Sequence, residues 1–132
     1  MIVLDASALV SIFLDPGPSA EPIRERVERP GESIHVPHLL DIEVLKVLRH
    51  HTLRGILAKE RGATALQDLE STKLTRYPHT PLLGRIWDLR ENLTAYDAAY
   101  IALAEALAAP LVTMDERLAR APGNHATVEL YR

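Results

Sequence analysis

The stretch Met1-Ile-Val-Leu-Asp5-Ala-Ser-Ala-Leu9 joins a short apolar run to a carboxylate and then to residues that favour a helix. Three consecutive apolar residues before Asp5 predict a strand that is buried on both faces. Ser7 is a residue type that caps helices, so we expect a helix from Ser7 to about Leu14. A buried strand that leads into a helix is a building unit of parallel α/β sheets. This stretch therefore predicts an α/β fold with Asp5 at the carboxyl end of its first strand.

The same alternation of strands and helices continues to the end of the chain. We expect further strands at about residues 33–36, 74–77, 111–113 and 127–131. We expect the intervening helices at about residues 19–29, 38–53, 64–69, 82–92, 94–109 and 115–121. The helix predicted to begin at about His38 is apolar nearly all round, which indicates that it is largely buried. Because the chain has 132 residues and no long linker, we expect a single domain, residues 1–132, built on a parallel sheet.

The composition is that of a folded domain and excludes several kinds of function. Hydrophobic residues make up 47% and charged residues 25% of the chain, close to the average of globular proteins. Because cysteine is absent, disulfides, thiolate zinc sites and a cysteine nucleophile are excluded. No apolar run approaches the ~20 residues of a membrane span, and the opening lacks the basic segment of a secretory signal. We therefore expect a cytoplasmic protein.

The net charge and the spacing of the histidines argue against two further kinds of binding site. The net charge of −3 argues against binding of nucleic acid by bulk electrostatic attraction. Of the 15 basic residues, 12 are arginine, whose planar guanidinium suits phosphate groups. Four histidines stand in two close pairs, His35 with His38 and His50 with His51. Neither pair has a spacing suited to chelation from one helix, so we expect surface histidines and not metal ligands.

Four carboxylates lie where an α/β sheet places its chemistry. Asp5 and Asp115 directly follow predicted strands, and Glu43 and Asp97 stand among apolar residues of predicted helices. Active sites of such sheets lie at the carboxyl ends of the strands. Two unit charges ~4 Å apart repel by roughly 4 kcal/mol at an effective dielectric constant near 20, so converging carboxylates need bound cations. A site made of oxygen ligands alone suits Mg²⁺ or Mn²⁺.

Each of these acids also has a structural interpretation that involves no metal. Helix capping explains Asp5, and Asp97 forms a capping-box pattern with Thr94. Asp115 could serve only as a first-turn acid of a helix, and Glu43 could pair with a basic residue one turn later. The spacing of the acids by itself leaves both interpretations open.

The segments that carry the four acids resemble, in order along the chain, those of PIN-domain nucleases, and most closely the VapC toxin branch. They are Met1-Ile-Val-Leu-Asp5-Ala-Ser-Ala-Leu9, Pro37-His-Leu-Leu-Asp-Ile-Glu43-Val-Leu-Lys-Val-Leu-Arg49, Thr94-Ala-Tyr-Asp97-Ala-Ala-Tyr-Ile-Ala-Leu-Ala104 and Leu111-Val-Thr113-Met-Asp115-Glu-Arg-Leu118. Each segment alone is a weak match, whereas four in the family's order make a specific one. Residues 54–87 match only in outline.

The resemblance implies a fold, an activity and a set of site residues. The fold is a three-layer domain with a central parallel sheet in the order 3-2-1-4-5, flanked by helices. The activity is cleavage of RNA by an endoribonuclease toxin that depends on Mg²⁺, with Mn²⁺ as the alternative metal. The acidic metal ligands would be Asp5, Glu43, Asp97 and Asp115. The site hydroxyls would be Ser7 and Thr113, which have an alternative interpretation as helix caps.

Partners follow from the same resemblance. It implies a VapB-like antitoxin whose C-terminal segment occupies a groove of the toxin, an RNA substrate and a homodimer. Lys46, Arg49 and Arg54 lie on or next to the predicted helix of Glu43, which makes them the candidates for contact with RNA.

Three other functions remain compatible with acids at strand ends. The first is a PIN-type nuclease in housekeeping RNA processing. The second is an aspartyl-phosphate phosphatase or receiver domain, but such proteins use a lysine late in the chain and no lysine follows Lys73. The D-x-D motif of the phosphatases is also missing, because the second position is Ser7. The third is a binding module without catalysis, which would tolerate loss of an acid, whereas all four positions are filled.

Overall fold

Five short parallel strands form the centre of the computed structural model, which describes all 132 residues. The order of the strands in the sheet is β3-β2-β1-β4-β5, as predicted. All four pairings between neighbouring strands are parallel. The strands are β1 (Ile2–Leu4), β2 (Ile34–Pro37), β3 (Thr75–Tyr77), β4 (Leu111–Thr113) and β5 (Val128–Leu130).

Seven α-helices connect and flank the strands, so the domain has three layers. They are α1 (Ala6–Leu14), α2 (Glu21–Val27), α3 (Leu39–Leu53), α4 (Lys59–Ser71), α5 (Leu83–Asp88), α6 (Ala95–Leu107) and α7 (Glu116–Ala119). Helix α6 packs against β1 and β2, whereas α1 packs against α3, α4 and β4. None of the helices has the length and apolar character needed to cross a membrane.

The central strand and the helix that covers it lie at the centre of the core. Ile2, Val3 and Leu4 of β1 are each 0% exposed, because β1 pairs with β2 on one side and with β4 on the other. Every residue of α6 from position 98 to position 104 is buried. Four of these seven are alanines, whose small side chains let α6 lie close to the sheet.

Helix α3 is less buried than its apolar sequence predicts. Leu40, Val44 and Leu48 recur every four residues and form the buried stripe of the helix. Ile42 and Leu53, in contrast, are each 69% exposed. The prediction of a largely buried helix is therefore wrong, because the neighbouring layers cover only one side of α3.

The predictions for α4, α5 and His35 also differ from the structure, since α5 ends at Asp88 and not at about residue 92. Helix α4 begins at Lys59, five residues earlier than predicted, and includes Gly62. A Cβ atom at Gly62 would lie 3.2 Å from Thr52 Oγ1, so glycine allows α4 to approach α3 closely. His35 is buried and not on the surface, since β2 is an inner strand. Its ring nitrogens hydrogen-bond to Ser33 Oγ at 2.8 Å and to Tyr77 Oη at 2.6 Å.

Candidate active site

The position of Asp5 follows from the topology of the sheet. The chain runs from β1 outward to β3, then returns to the other side of β1 to form β4 and β5. The point where the strand order reverses is the usual ligand site of an open α/β sheet, and Asp5 stands there at the end of β1. Asp5 is only 5% exposed. It also caps α1, because its Oδ1 accepts a hydrogen bond from the backbone N–H of Ala8 at 3.0 Å.

Ser7 and Thr113 hold the carboxylate of Asp5 from two sides. Ser7 Oγ donates to Asp5 Oδ1 at 2.7 Å, and Thr113 Oγ1 donates to Asp5 Oδ2 at 2.5 Å. The expectation that Ser7 begins α1 as its cap is wrong, since Asp5 has that role. Each hydroxyl also accepts a backbone N–H from the loop after β4, Ser7 from Met114 and Thr113 from Asp115. The two hydroxyls therefore fix Asp5 and tie it to the loop that carries Asp115.

Glu43 has a partner that the sequence analysis did not identify. The hydroxyl of Tyr100 donates to Glu43 Oε1 at 2.6 Å. Tyr100 is 2% exposed and lies in α6, whereas Glu43 lies in α3. The sequence does contain a pattern that places Tyr100 near the acids. Tyr100 lies three residues after Asp97, and residues at that spacing share one helix face. Tyr100 orients Glu43 toward the face of α6 that carries Asp97.

Asp97 lies in the first turn of α6, whereas Asp115 is the N-cap of α7. Thr94 caps α6 by accepting the backbone N–H of Asp97 at 3.2 Å, so the cap of this helix does not depend on the Asp97 carboxylate. Asp115 does cap its own helix, since its Oδ1 accepts the N–H groups of Arg117 and Leu118 at 2.9 and 3.3 Å. Asp115 is thus the N-cap of α7 and not a first-turn acid, and its side chain remains 28% exposed and lines the same cleft as the other acids.

All four acids line one cleft of about 240 Å³. The other residues that line it are Ala6, Ser7, Lys46, Val47 and Tyr100. Lys46 is thus the single basic side chain in the lining. The topology therefore brings together the four acids that the sequence analysis singled out, and it leaves their charge largely uncompensated.

The acids in the cleft interact electrostatically. Burial raises the pKa of Asp5, and the charge of Asp115 raises it further, while hydrogen bonds from Thr113, Ala8 and Ser7 oppose the shift. Burial also raises the pKa of Glu43, with a further rise from the charges of Asp97 and Asp5. The hydrogen bond from Tyr100 and the charge of Lys46 act against that rise. Raised carboxyl pKa values at a shared cleft are typical of functional sites.

The donor chemistry of the cleft fits a hard divalent cation. Every candidate ligand is a carboxylate oxygen, the donor type that Mg²⁺ and Mn²⁺ prefer. No three acidic or histidine side chains surround a common point at ligand distance. Asp5 is held by two hydroxyls and Glu43 by Tyr100, so the protein itself orients two of the four carboxylates that would hold a cation.

The three basic candidates for RNA contact lie at different distances from the acids. Lys46 lines the cleft. Arg49 instead lines a separate groove of about 440 Å³ between α3 and α4. Arg54 follows the end of α3 and is eleven residues beyond Glu43, about 16 Å along the helix axis. Only Lys46 is brought to the acids.

Comparison with known proteins identifies the family. The model of the PIN domain matches residues 2–124. Ribonuclease VapC9 of Mycobacterium tuberculosis is 46% identical over 118 residues, which cover 89% of this chain and 88% of the relative. Ribonuclease VapC1 of the same species is 44% identical over 132 residues, 98% and 97% of the two chains.

Solved structures show the same fold. The structure of VapBC2 from Rickettsia felis, bound to a DNA fragment from its promoter, matches with a TM-score of 0.73 and 18% identity over the whole of both chains. PAE2754 from Pyrobaculum aerophilum matches with a TM-score of 0.68 and 24% identity, over 96% of this chain and 81% of that one. The family model and the relatives above 40% identity show that the chain belongs to the PIN-domain family and to its VapC branch.

Proposed function

We propose that this protein is a metal-dependent endoribonuclease toxin that is restrained by a VapB-like antitoxin. The observation that carries the proposal is the cleft with four acids at the point where the strand order reverses, in a chain that belongs to the VapC branch. Family membership favours this function over an aspartyl-phosphate phosphatase or receiver. A housekeeping role in RNA processing would use the same chemistry and differs only in its biological effect.

Asp5, Glu43, Asp97 and Asp115 would hold the metal, Mg²⁺ in the first instance and Mn²⁺ as the alternative. When bound, such an ion supplies a water of lowered pKa and stabilises negative charge at the scissile phosphate. The remaining roles belong to the chain itself. Ser7 and Thr113 keep Asp5 in one orientation, and Tyr100 does the same for Glu43. Lys46 is placed to attract the phosphate that the acids repel.

The uncompensated charge of the cleft also indicates how an antitoxin would inhibit. An arginine offers a planar pair of donors that matches a carboxylate. We propose that the antitoxin places an arginine or a lysine near Asp5, Asp97 and Asp115, and apolar side chains beside α3. The same fold occurs in the VapBC2 structure from Rickettsia felis and in a toxin–antitoxin complex from Klebsiella pneumoniae. The homodimer implied by the family remains a prediction.

An RNA cleavage assay tests the proposed function. The purified protein should cleave RNA with Mg²⁺ or Mn²⁺, stop when EDTA is added, and leave 5′-phosphate ends. Asp97→Asn, purified in the same way, is the matched control for contaminating nucleases and should be inactive. Cleavage that is independent of metal and leaves 2′,3′-cyclic ends would contradict the mechanism.

Expression in cells separates a toxin from a housekeeping nuclease. Induction of the protein alone should arrest growth, and joint induction with the antitoxin gene should restore it. Sequencing of RNA ends after induction then identifies the cleaved RNA. Normal growth despite RNA cleavage by the purified protein would favour the housekeeping role.

A further inference from the structure

One aromatic side chain next to the acids has no role in the site described so far. Tyr96 immediately precedes Asp97 in α6 and is 64% exposed. It lies four residues before Tyr100, and residues at that spacing share a helix face. Because Tyr100 reaches Glu43 of α3, Tyr96 stands one turn further along the same face, at the open edge of the cleft. Exposure of an aromatic ring at this position favours a binding role.

Tyr96 lines a second cavity that adjoins the acidic cleft. This cavity has a volume of about 350 Å³, within the ~300–1,000 Å³ of small-molecule sites. Its lining consists of Ile42, Glu43, Lys46, Thr94, Tyr96 and Asp97. Glu43, Lys46 and Asp97 also line the acidic cleft, so a ligand in one cavity continues directly into the other. Ile42 is 69% exposed and supplies an apolar wall from α3, while Tyr96 supplies one from α6.

The charge distribution indicates what such a cavity would bind. The four acids repel a nucleic-acid backbone, and Lys46 is the single cation that lines either cavity. Without a bound cation, affinity for RNA at this point therefore needs a contribution that does not depend on charge. Stacking of a base on an aromatic ring supplies one. The lining also matches the two parts of a nucleotide. Ile42 and Tyr96 offer apolar contact to a base that lies between them, and Lys46 offers a positive charge to its phosphate. An apolar partner surface would instead bury Glu43 and Asp97 without compensation.

We propose that Tyr96, with Ile42 on the opposite wall, is a substrate-binding residue that stacks on the RNA base next to the scissile phosphate. This inference rests on the proposed ribonuclease function and adds a determinant of where the substrate is cut. The stacked base must be unpaired, because a base inside a duplex presents no free face to the ring.

Cleavage of a short RNA with one mapped cut site tests the inference. Tyr96→Ala should lower kcat/KM about 5- to 140-fold, the range that corresponds to the loss of one stacking contact. Tyr96→Phe should retain activity because it keeps the ring. Trp87→Ala is the matched control, since Trp87 is 66% exposed but lines neither cavity, and it should behave as the unaltered protein.

An abasic nucleotide separates stacking from a structural role. In the unaltered protein, removal of the base beside the cut should reduce cleavage by the same factor as Tyr96→Ala. In the Tyr96→Ala protein, removal of that base should have no further effect. A full penalty for the abasic substrate in both proteins, or unchanged cleavage by Tyr96→Ala, would overturn the inference. Loss of dimer mass in Tyr96→Ala together with an unchanged abasic penalty would overturn it as well, and would assign the ring to contact with a second copy.

A binding readout keeps the inference distinct from the proposed function. RNA that carries 2-aminopurine at the same position is mixed with the protein in EDTA, where cleavage is stopped. Quenching of its fluorescence by the unaltered protein and not by Tyr96→Ala would support stacking. If that quenching occurs but no metal restores cleavage, the proposed function fails and the stacking site stands. Binding without a difference between the two proteins would overturn the stacking site while leaving the ribonuclease intact.

Discussion

Basic groups neutralise the carboxylates at the amino end of the sheet, whereas the carboxylates at its carboxyl end are largely without such partners. Near the amino end, Arg26 forms ion pairs with Glu32 and with Glu129, and the amino group of Met1 also binds Glu32. At the carboxyl end, four acids share a cleft in which Lys46 is the single basic side chain. Both ends therefore gather carboxylates, but only the amino end supplies enough positive charge to balance them.

The pKa values record this difference. The amino group of Met1 and Arg26 lower the pKa of Glu32 despite its burial. Burial and neighbouring carboxylates raise the pKa values of Asp5 and Glu43. A carboxyl group whose pKa is higher in the folded state than in the unfolded state lowers the free energy of unfolding at neutral pH. Such a loss of stability is typical of functional sites, where the charge serves binding. The amino end of the sheet therefore stabilises the fold, whereas the carboxyl end acts on a ligand.

Arg26→Met should have the largest effect on stability. The side chain of Arg26 is only 7% exposed, and its removal leaves Glu129 without an ion-pair partner and Glu32 with the amino group of Met1 alone. Removal of one member of a buried ion pair costs about 3–5 kcal/mol, measured by urea unfolding. Arg120→Met is the matched control, because its pair with Glu116 is exposed and is worth ~0–1 kcal/mol. Equal losses in the two variants would show that the amino end is not a compensated network.

Tyr100→Phe should weaken the carboxyl end without unfolding it. The variant removes the 2.6 Å hydrogen bond to Glu43 and keeps the ring in the core. Loss of a partner that orients a metal ligand reduces metal affinity by about 10- to 100-fold. Titration of Mn²⁺ in the cleavage assay should therefore show a higher metal requirement. Because that hydrogen bond lowers the pKa of Glu43, the acidic limb of the pH profile should also move to higher pH. An unchanged metal requirement and pH profile would contradict a positioning role.

A fall in pH should destabilise the folded protein at the amino end of the sheet and stabilise it at the carboxyl end. The folded-state pKa of Glu32 is lowered from 4.5, so its stabilising contribution is complete above pH 4.5 and is lost as the pH falls through the lower, folded-state value. Asp5 and Glu43 have raised folded-state pKa values, so their destabilising effect is relieved as the pH falls toward their unfolded-state values. Urea unfolding from pH 7 to pH 3 should show less acid sensitivity in Glu32→Gln than in the unaltered protein. The same sensitivity in both would contradict the pairing of Glu32.

Lys46→Gln should have the smallest effect, seen mainly in RNA binding. Removal of a cation that contacts phosphate weakens binding uniformly and lowers the slope of log affinity against log salt by about one. Arg54→Gln is the control, since Arg54 follows the end of the same helix and is remote from the acids, and it should leave the slope unchanged. A larger change of the slope in Arg54→Gln than in Lys46→Gln would indicate that the RNA passes near Arg54 and not through the cleft.

Local sequence predicts much of this architecture, because a buried strand and the acid that follows it are contiguous. The strand from Ile2 to Leu4 and the position of Asp5 both follow from one apolar run. The contact between Tyr100 and Glu43 could not be predicted in the same way, because it joins α6 to α3 across 57 residues. The exposure of Ile42 could not be predicted either, since hydrophobic periodicity indicates which residues are apolar but not which of them a neighbouring layer covers.

Thermal unfolding of Asp97→Asn with and without Mn²⁺ tests the central claim most directly. The four acids repel one another without metal, so the metal-free variant should melt at the same temperature as the unaltered protein or higher. Mn²⁺ should raise the melting temperature of the unaltered protein, because binding to the folded state alone stabilises it, and should have little effect on the variant. Asp41→Asn is the control on α3, since Asp41 pairs with Arg76 outside the cleft, and it should respond to Mn²⁺ normally. A large drop in the melting temperature of metal-free Asp97→Asn, with the response to Mn²⁺ retained, would contradict the assignment of the acids to a metal site.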